Sequence, residues 1–168
     1  TVAHNREGGL AGVGTGFRDL DSLLGGLHSS DLLILAGRPG MGKTALATNI
    51  AYNAAYTYQH SEGREGAVVG FFSLEMSAEQ LASRILSEQS DISSDRMRKG
   101  ELANEEFNRL SAASSTLHNI PIFIDDTPAL TVSALRTRAR RLQRHPARQG
   151  ADLDRLADAA GGILRFTD

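Results

Sequence analysis

The sequence predicts an α/β protein in which a parallel sheet carries helices on both faces. Three short apolar runs, "DLLILAG" (31–37), "AVVGFFSLE" (67–75) and "IPIFID" (120–125), have strand length, and their continuous apolarity suits strands buried on both faces. Between them lie longer segments whose apolar residues recur at three- and four-residue spacing, the period of a helix. Strand–helix alternation requires crossover connections of a single hand, which leaves a doubly wound sheet as the architecture.

Residues 1–16, "TVAHNREGGLAGVGTG", hold five glycines and little periodicity and are expected as a linker or arm. One domain is expected over residues 17–145, followed by an atypical tail over 146–168. Phe17, Leu20, Leu23, Leu24 and Leu27 have helical spacing, broken by Gly25 and Gly26. A helix is expected from Lys43 to about Tyr58. Ser77 and Gln80 stand at capping-box spacing and open a helix with Leu81, Ile85 and Leu86 on one side. The next begins near Asn104, with Phe107, Leu110 and Leu117 in register. Thr131 caps the last, which carries Val132, Leu135, Ala139 and Leu142. In the tail, "ADLDRLADAA" has the pattern of a polar amphipathic helix, and no further buried strand is expected. Three strands with four helices make a thin sheet for this class.

Composition narrows the function classes. An apolar fraction of 40% and a charged fraction of 23% suit an ordinary globular domain. A net charge of −2 gives no whole-molecule footprint for nucleic acid, which leaves room only for local basic patches. The lack of cysteine excludes disulfides and thiolate metal sites and suits a reducing compartment. No apolar run reaches membrane-spanning length and no signal-peptide pattern opens the chain. His4, His28, His60, His118 and His145 show no metal-ligand spacing. Basic residues are lopsided, 16 Arg against 2 Lys, and one of the two lysines, Lys43, sits in a glycine-rich turn.

That turn is "GRPGMGKTA": Gly37, Arg38, Pro39, Gly40, Met41, Gly42, Lys43, Thr44 and Ala45. It fits G-x-x-x-x-G-K-[ST], the phosphate-binding loop or Walker A motif, at Gly37, Gly42, Lys43 and Thr44. Glycines let successive N–H groups turn into one concavity and keep side chains away from a phosphate. The helix that begins at Lys43 adds the positive end of its dipole. The Lys43 ammonium suits the β- and γ-phosphates of ATP, and the Thr44 hydroxyl suits Mg²⁺. Chance would place such a pattern in roughly 0.3% of chains with two lysines and average residue frequencies. A predicted strand before it and a helix after it complete the context that nucleoside triphosphate binding requires.

Flanking stretches carry a resemblance. "TGFRDLDSLLGGL" resembles the lead-in of RecA-like ATPases, and "GFFSLEMSAEQLASRIL" with "PIFIDDTPALTVSALRTRARRL" resembles the ATPase domain of the DnaB-type replicative DNA helicase family, over about Val13 to Arg144. The resemblance implies a RecA-like fold assembled as a hexameric ring around single-stranded DNA. It also implies ATP hydrolysis between neighbouring subunits, movement 5′ to 3′, cytoplasmic location, and primase and a helicase loader as partners. Glu75 matches the family's catalytic glutamate, at the end of a strand expected beside the P-loop strand, where a carboxylate can orient and deprotonate the attacking water. It also fits as the start of the Ser77 helix turn. Asp125 and Asp126 end a hydrophobic strand as a Mg²⁺-binding Walker B aspartate would. The family has "IDDTP" on an earlier strand, so the resemblance gives these two to structure or to the edge of the site. Arg136, Arg138, Arg140, Arg141 and Arg144 lie on one helix, either as phosphate contacts or as its solvated face.

After "RTRARRLQR" the family pattern continues to an apolar strand ending in Asp, whereas this chain reads "HPARQGADLDRLADAAGGILRFTD". The fold is therefore expected to stop before the Walker B strand, without the later DNA-binding loops, the γ-phosphate sensor and the arginine finger. A reading frame shifted by one nucleotide near residues 144–150 permits Leu-Ile-Leu-Ile-Asp, close to the family strand. A frame change, an engineered end and a natural truncation are the three accounts. Exposed apolar sheet edge, weakened nucleotide binding and loss of hydrolysis in this chain alone are the expected consequences. The alternative function is a nucleotide-binding interaction module, derived from a helicase, that does not turn over ATP.

Overall fold

The computed structural model describes residues 10–144 and 165–166. Most of the expected arm, the amphipathic pattern of the tail, His4 and His145 lie outside the described residues. In chain order the elements are α1 (Arg18–Leu24), β1 (Ile34–Leu35), α2 (Lys43–His60), β2 (Val69–Phe72), α3 (Ala78–Ser90), α4 (Ser94–Lys99), α5 (Asn104–Asn119), β3 (Ile122–Asp125), α6 (Val132–Gln143) and β4 (Arg165–Phe166).

Among the described residues the named strands pair in parallel, as predicted. β2 runs beside β3 from Val69 opposite Ile122 to Phe72 opposite Asp125, and β1 pairs with β4 through Ile34–Arg165 and Leu35–Phe166. β4 is a strand where none was expected. Helices cover both faces of the β2–β3 ladder. Val69 packs with Ile122 and Leu117 against a core of Tyr52, Ala55, Ile85 and Ile120, contributed by α2, α3 and the end of α5. The next residue, Gly70, points to the opposite face, where Leu142 of α6 lies against it.

α2 carries the largest share of the core. Ala47, Thr48, Ile50, Ala51, Tyr52, Ala54, Ala55 and Tyr58 are all buried along it. Four alanines in that set let the helix approach its neighbours closely, while the ring of Tyr52 reaches the core cluster. α3 is amphipathic, with Leu81 and Ile85 buried, and packs on α5. Its start is the expected capping box: Ser77 Oγ accepts from Gln80 N at 3.2 Å, and Gln80 Oε1 accepts from Ser77 N at 3.0 Å. Thr131 Oγ1 likewise accepts from Ala134 N at 3.3 Å to open α6.

Four expectations change. The run 31–37 yields only a two-residue strand, and Leu32 and Ile34 are 64% and 66% exposed rather than buried on both faces. The reason is partnership: among the described residues β1 pairs with β4 and not with β2, so its outer side chains meet no second layer. Phe107 points outward at 61% exposure because α5 turns Ala113, flanked by half-buried Leu110 and Leu117, toward α3. α4, six residues long, was not predicted. It is too short to show a period and rests on its ends, Ser93 Oγ accepting from Arg96 N and Gly100 closing it in the left-handed region.

The fourth change concerns the segment before α1. Val13 and Leu27 exchange backbone hydrogen bonds of 2.9 and 2.7 Å, so the chain doubles back as an antiparallel bridge. Thr15 is fully buried; its N–H and its hydroxyl both donate to Asp21 Oδ1 at 2.7 Å. Asn53 of α2 donates to the Thr15 carbonyl at 3.0 Å. Residues 12–16, expected as arm, are thus tied to the P-loop helix by polar bonds that hydrophobic periodicity does not register.

Gly66, where the chain enters the β2 approach, has φ +75°, and a methyl there would collide with backbone atoms of Ala54 and Tyr58 in α2. Gly66→Ala combines a left-handed backbone with that collision, so the unfolding free energy is expected to drop by about 2 kcal/mol or more. Urea denaturation followed by circular dichroism measures it, and an unchanged midpoint would show that α2 and the β2 approach are not in contact.

Candidate nucleotide-binding site

The P-loop turn lies between β1 and α2. Gly40 and Gly42 take φ of +78° and +84°, a region that an L side chain enters only with strain, and a Cβ at either would meet open space. Turning through these two glycines bares the loop's backbone toward solvent while Gly42 caps α2. Met41 N–H donates to the Arg38 carbonyl at 3.2 Å, closing the turn, and Lys43 Nζ donates to the Gly37 carbonyl at 2.8 Å, so the lysine side chain spans the loop it opens. Thr44 and Ala45 are half-buried in the first helical turn, and Arg38, Pro39 and Met41 are exposed. No acidic residue lies in that first turn, so nothing on the helix end repels a phosphate. Glycine-bared backbone, an uncontested helix N-terminus, one ammonium and one hydroxyl form a donor set that fits a triphosphate with its Mg²⁺.

Glu75 sits exposed on a turn between β2 and α3. Buried Ser73 folds that turn: its Oγ donates to the Met76 carbonyl at 2.6 Å and accepts from Met76 N–H at 3.1 Å. The strand behind Glu75 pairs with β3, so its expected adjacency to the P-loop strand is not found among the described residues. β2 takes β3 as its partner, while β1 takes β4.

Asp125 is held by the chain itself. Its Oδ2 is ion-paired with Arg138 of α6, and its Oδ1 accepts from Thr127 N–H at 3.1 Å, while Arg138 also donates to Thr127 Oγ1 at 2.7 Å. The guanidinium and the Thr127 bonds hold the Asp125 carboxyl below its ordinary range. Asp126 accepts from the Ala78 N–H at 2.8 Å, at the start of α3. Among the described residues no three acidic, His or Cys side chains gather as a metal site. Arg138 is withdrawn from the solvated face that its four neighbours Arg136, Arg140, Arg141 and Arg144 form. A signal for this was available: position 138 falls on the stripe of Leu135, Ala139 and Leu142, and a cation on an apolar stripe needs an acid facing it. Ser73 gave no such signal, because a serine after an apolar strand is common.

Comparison with known proteins places the chain in a family. A family model described as the DnaB-like helicase C terminal domain matches residues 12–154. The replicative DNA helicase DnaB of Rickettsia felis is 54% identical over 138 residues, covering 80% of this chain and 28% of that protein. That of Geobacillus stearothermophilus is 43% identical over 142 residues, covering 84% of this chain and 30% of its own length. The chain therefore spans less than a third of these relatives. A solved DnaB-like replicative helicase, described with its interactions with primase, aligns at TM-score 0.74 and 27% identity over 83% of this chain and 33% of its own. A solved ATPase domain aligns at TM-score 0.72 and 28% identity, covering 82% and 46%. No helix among the described residues is long and apolar enough to cross a membrane.

The Asp125–Arg138 pair makes stability depend on pH in a definite direction. The folded-state pKa of Asp125 lies below its unfolded value, so the pair stabilises the fold above about pH 4 and loses that contribution as pH falls through the folded value. Both side chains are partly exposed, at 26% and 40%, so the contribution is screened and stays within about 1 kcal/mol. Arg138→Met is expected to flatten the fall in melting temperature between pH 6 and pH 3, and an identical fall in both proteins would show the pair to be energetically silent.

Proposed function

Because the chain belongs to the DnaB-like helicase C-terminal domain family, we propose that it is the nucleotide-binding part of a ring-shaped replicative helicase motor, in which ATP hydrolysis drives 5′ to 3′ unwinding of duplex DNA. The observation that carries this reading is the P-loop, with left-handed glycines at 40 and 42 and Lys43 spanning the turn. Backbone N–H groups of residues 38–45 and the Lys43 ammonium would hold the β- and γ-phosphates, and the Thr44 hydroxyl would be a ligand of Mg²⁺. When bound, Mg²⁺ offsets charge on the transferring phosphoryl group. Glu75 orients the attacking water and takes its proton. Its exposed place on the Ser73-folded turn leaves the carboxylate accessible from solvent, as that role needs.

Assembly as a homo-hexamer around single-stranded DNA, contact with primase and a helicase loader, and a cytoplasmic location belong to the same proposal and rest on family membership. Asp125 is the weaker candidate for the metal: both its oxygens already accept hydrogen bonds, so ligation would mean releasing Arg138 or Thr127.

That same observation favours a second reading, a nucleotide-binding interaction module that docks in a ring without turning over ATP, since Thr44 is then the one uncommitted oxygen ligand proposed for Mg²⁺. Fluorescent ATP titration and phosphate release separate the two. Lys43→Ala is expected to weaken ATP binding at least ten-fold, and Glu75→Gln to keep binding while reducing turnover about a hundred-fold. ATP binding by the wild-type chain with no phosphate release, with or without single-stranded DNA, supports the module, and undiminished binding by Lys43→Ala would overturn both.

A further inference from the structure

We propose that Asp126 is a positioning residue for Glu75, acting through the N–H of Ala78; the inference rests on the reading of Glu75 as the base. The turn that carries Glu75 is suspended between two consecutive residues at the end of β3. On its leading side, Ser73 N–H donates to the carbonyl of Asp125 at 2.9 Å, the last rung of the β2–β3 ladder. On its trailing side, Ala78 N–H donates to the carboxylate of Asp126 at 2.8 Å. The five residues between, 73–77, close on themselves through Ser73 Oγ, which bonds both N–H and C=O of Met76.

Each bond removes a freedom that the others leave open. The ladder rung fixes where the turn departs and the serine fixes its curvature, yet neither fixes the direction in which it enters α3. The N–H of Ala78 is one of the donors that a helix leaves unsatisfied at its start. The capping box already uses Ser77 Oγ for Gln80 N–H and Gln80 Oε1 for Ser77 N–H, so Ala78 needs an acceptor from elsewhere. Asp126 supplies it from a residue 48 positions away, and its negative charge suits the positive end of the helix. Adjacent carboxylates thus divide the work at the end of β3, Asp125 holding α6 through Arg138 and Asp126 holding α3. A shift of Asp126 moves the start of α3 and, with it, the apex of the turn where Glu75 stands.

The test reads position and not turnover. The full chain carrying ¹³C-labelled glutamate is titrated with the non-hydrolysable ATP analogue AMP-PNP and Mg²⁺, and the Glu75 carboxyl resonance is assigned with Glu75→Gln. Amide hydrogen exchange is followed at Ala78 in the same samples. The wild type is expected to show a nucleotide-induced displacement of the Glu75 resonance and a protected Ala78 amide. Asp126→Asn, which retains an acceptor oxygen, is expected to keep both. Asp126→Ala is expected to lose most of the displacement and exchange at Ala78 about ten-fold faster, with AMP-PNP affinity within about two-fold of wild type. Should Asp126→Ala not fold, Asp126→Glu, which moves the acceptor by one methylene, is read in its place. A full displacement in Asp126→Ala, or an equal loss in Asp126→Asn, overturns the positioning role. No displacement in the wild type overturns the reading of Glu75 and the positioning role with it, and is told apart because the exchange difference at Ala78 persists.

Discussion

Burial of α2 is the constraint on which the rest of this structure depends. One helix opens at an exposed loop and, about one turn later, lies deep enough to hold the core together. The sequence of α2 divides accordingly. Lys43 to Leu46 are half-buried, whereas from Ala47 to Tyr58 most positions are buried. Small residues do this where bulky ones would hold the helix away from its neighbours. What lies near α2 is then held to it by directional bonds: Thr15 through Asn53, and Ala67, whose N–H reaches the Ala54 carbonyl at 3.0 Å. The entry into β2, the segment before α1 and the P-loop therefore share one reference element.

A second level of organisation sits at the end of β3. Parallel strands present their C-terminal ends on the same edge, and ligands of such sheets bind outside those ends. In this chain the edge is structured by carboxylates and a serine. Asp125 and Asp126 spend their oxygens on Arg138, Thr127 and Ala78, and Ser73 spends its hydroxyl on Met76. One of these bonds, from Ala78 N–H to Asp126, joins residues 73–78 to the end of β3 across 48 positions of sequence, and the others shape each stretch locally. The Ser73 and Asp126 bonds fix the turn that carries Glu75 at its start and its end.

The division between what was legible in the sequence and what was not follows the same physics. Long periodic segments were readable because burial of one helix face leaves a repeating imprint; α2, α3, α5 and α6 all begin where the sequence places them, α3 and α6 at the side-chain caps Ser77 and Thr131. The glycine turn before α2 was readable because a left-handed backbone at Gly40 and Gly42 tolerates few residue types. Strand burial at 31–37 was misjudged because apolarity reports what a strand can bury, and partners decide what it does bury. Phe107 was misassigned because it lies one turn before Leu110 and two before Ala113, on the side of α5 that stays exposed. Thr15–Asp21, Asp126–Ala78 and Asp125–Arg138 left little trace, since a polar side chain satisfied by a distant partner reads like any surface residue. Only Arg138 betrayed itself, by occupying an apolar stripe.

The place of β1 bears on the energetics of the candidate nucleotide site. β1 is two residues long, exposes Ile34, and is not joined to the β2–β3 ladder among the described residues. Among the described residues the strand does not tie the loop that follows it to that ladder. The geometry of Gly37 to Thr44 is set from the other side, by the first turn of α2, where Leu46 N–H closes on the Gly42 carbonyl at 2.9 Å. A phosphate that accepts from the N–H groups of that turn satisfies donors that the helix cannot satisfy itself. Binding and helix formation then favour one another: a ligand that prefers the folded turn stabilises it in proportion to the logarithm of its concentration over its dissociation constant. The helix that opens at Lys43 is the one that carries Tyr52 and Ala55 into the core. The loop reports on α2, and α2 reports on the fold.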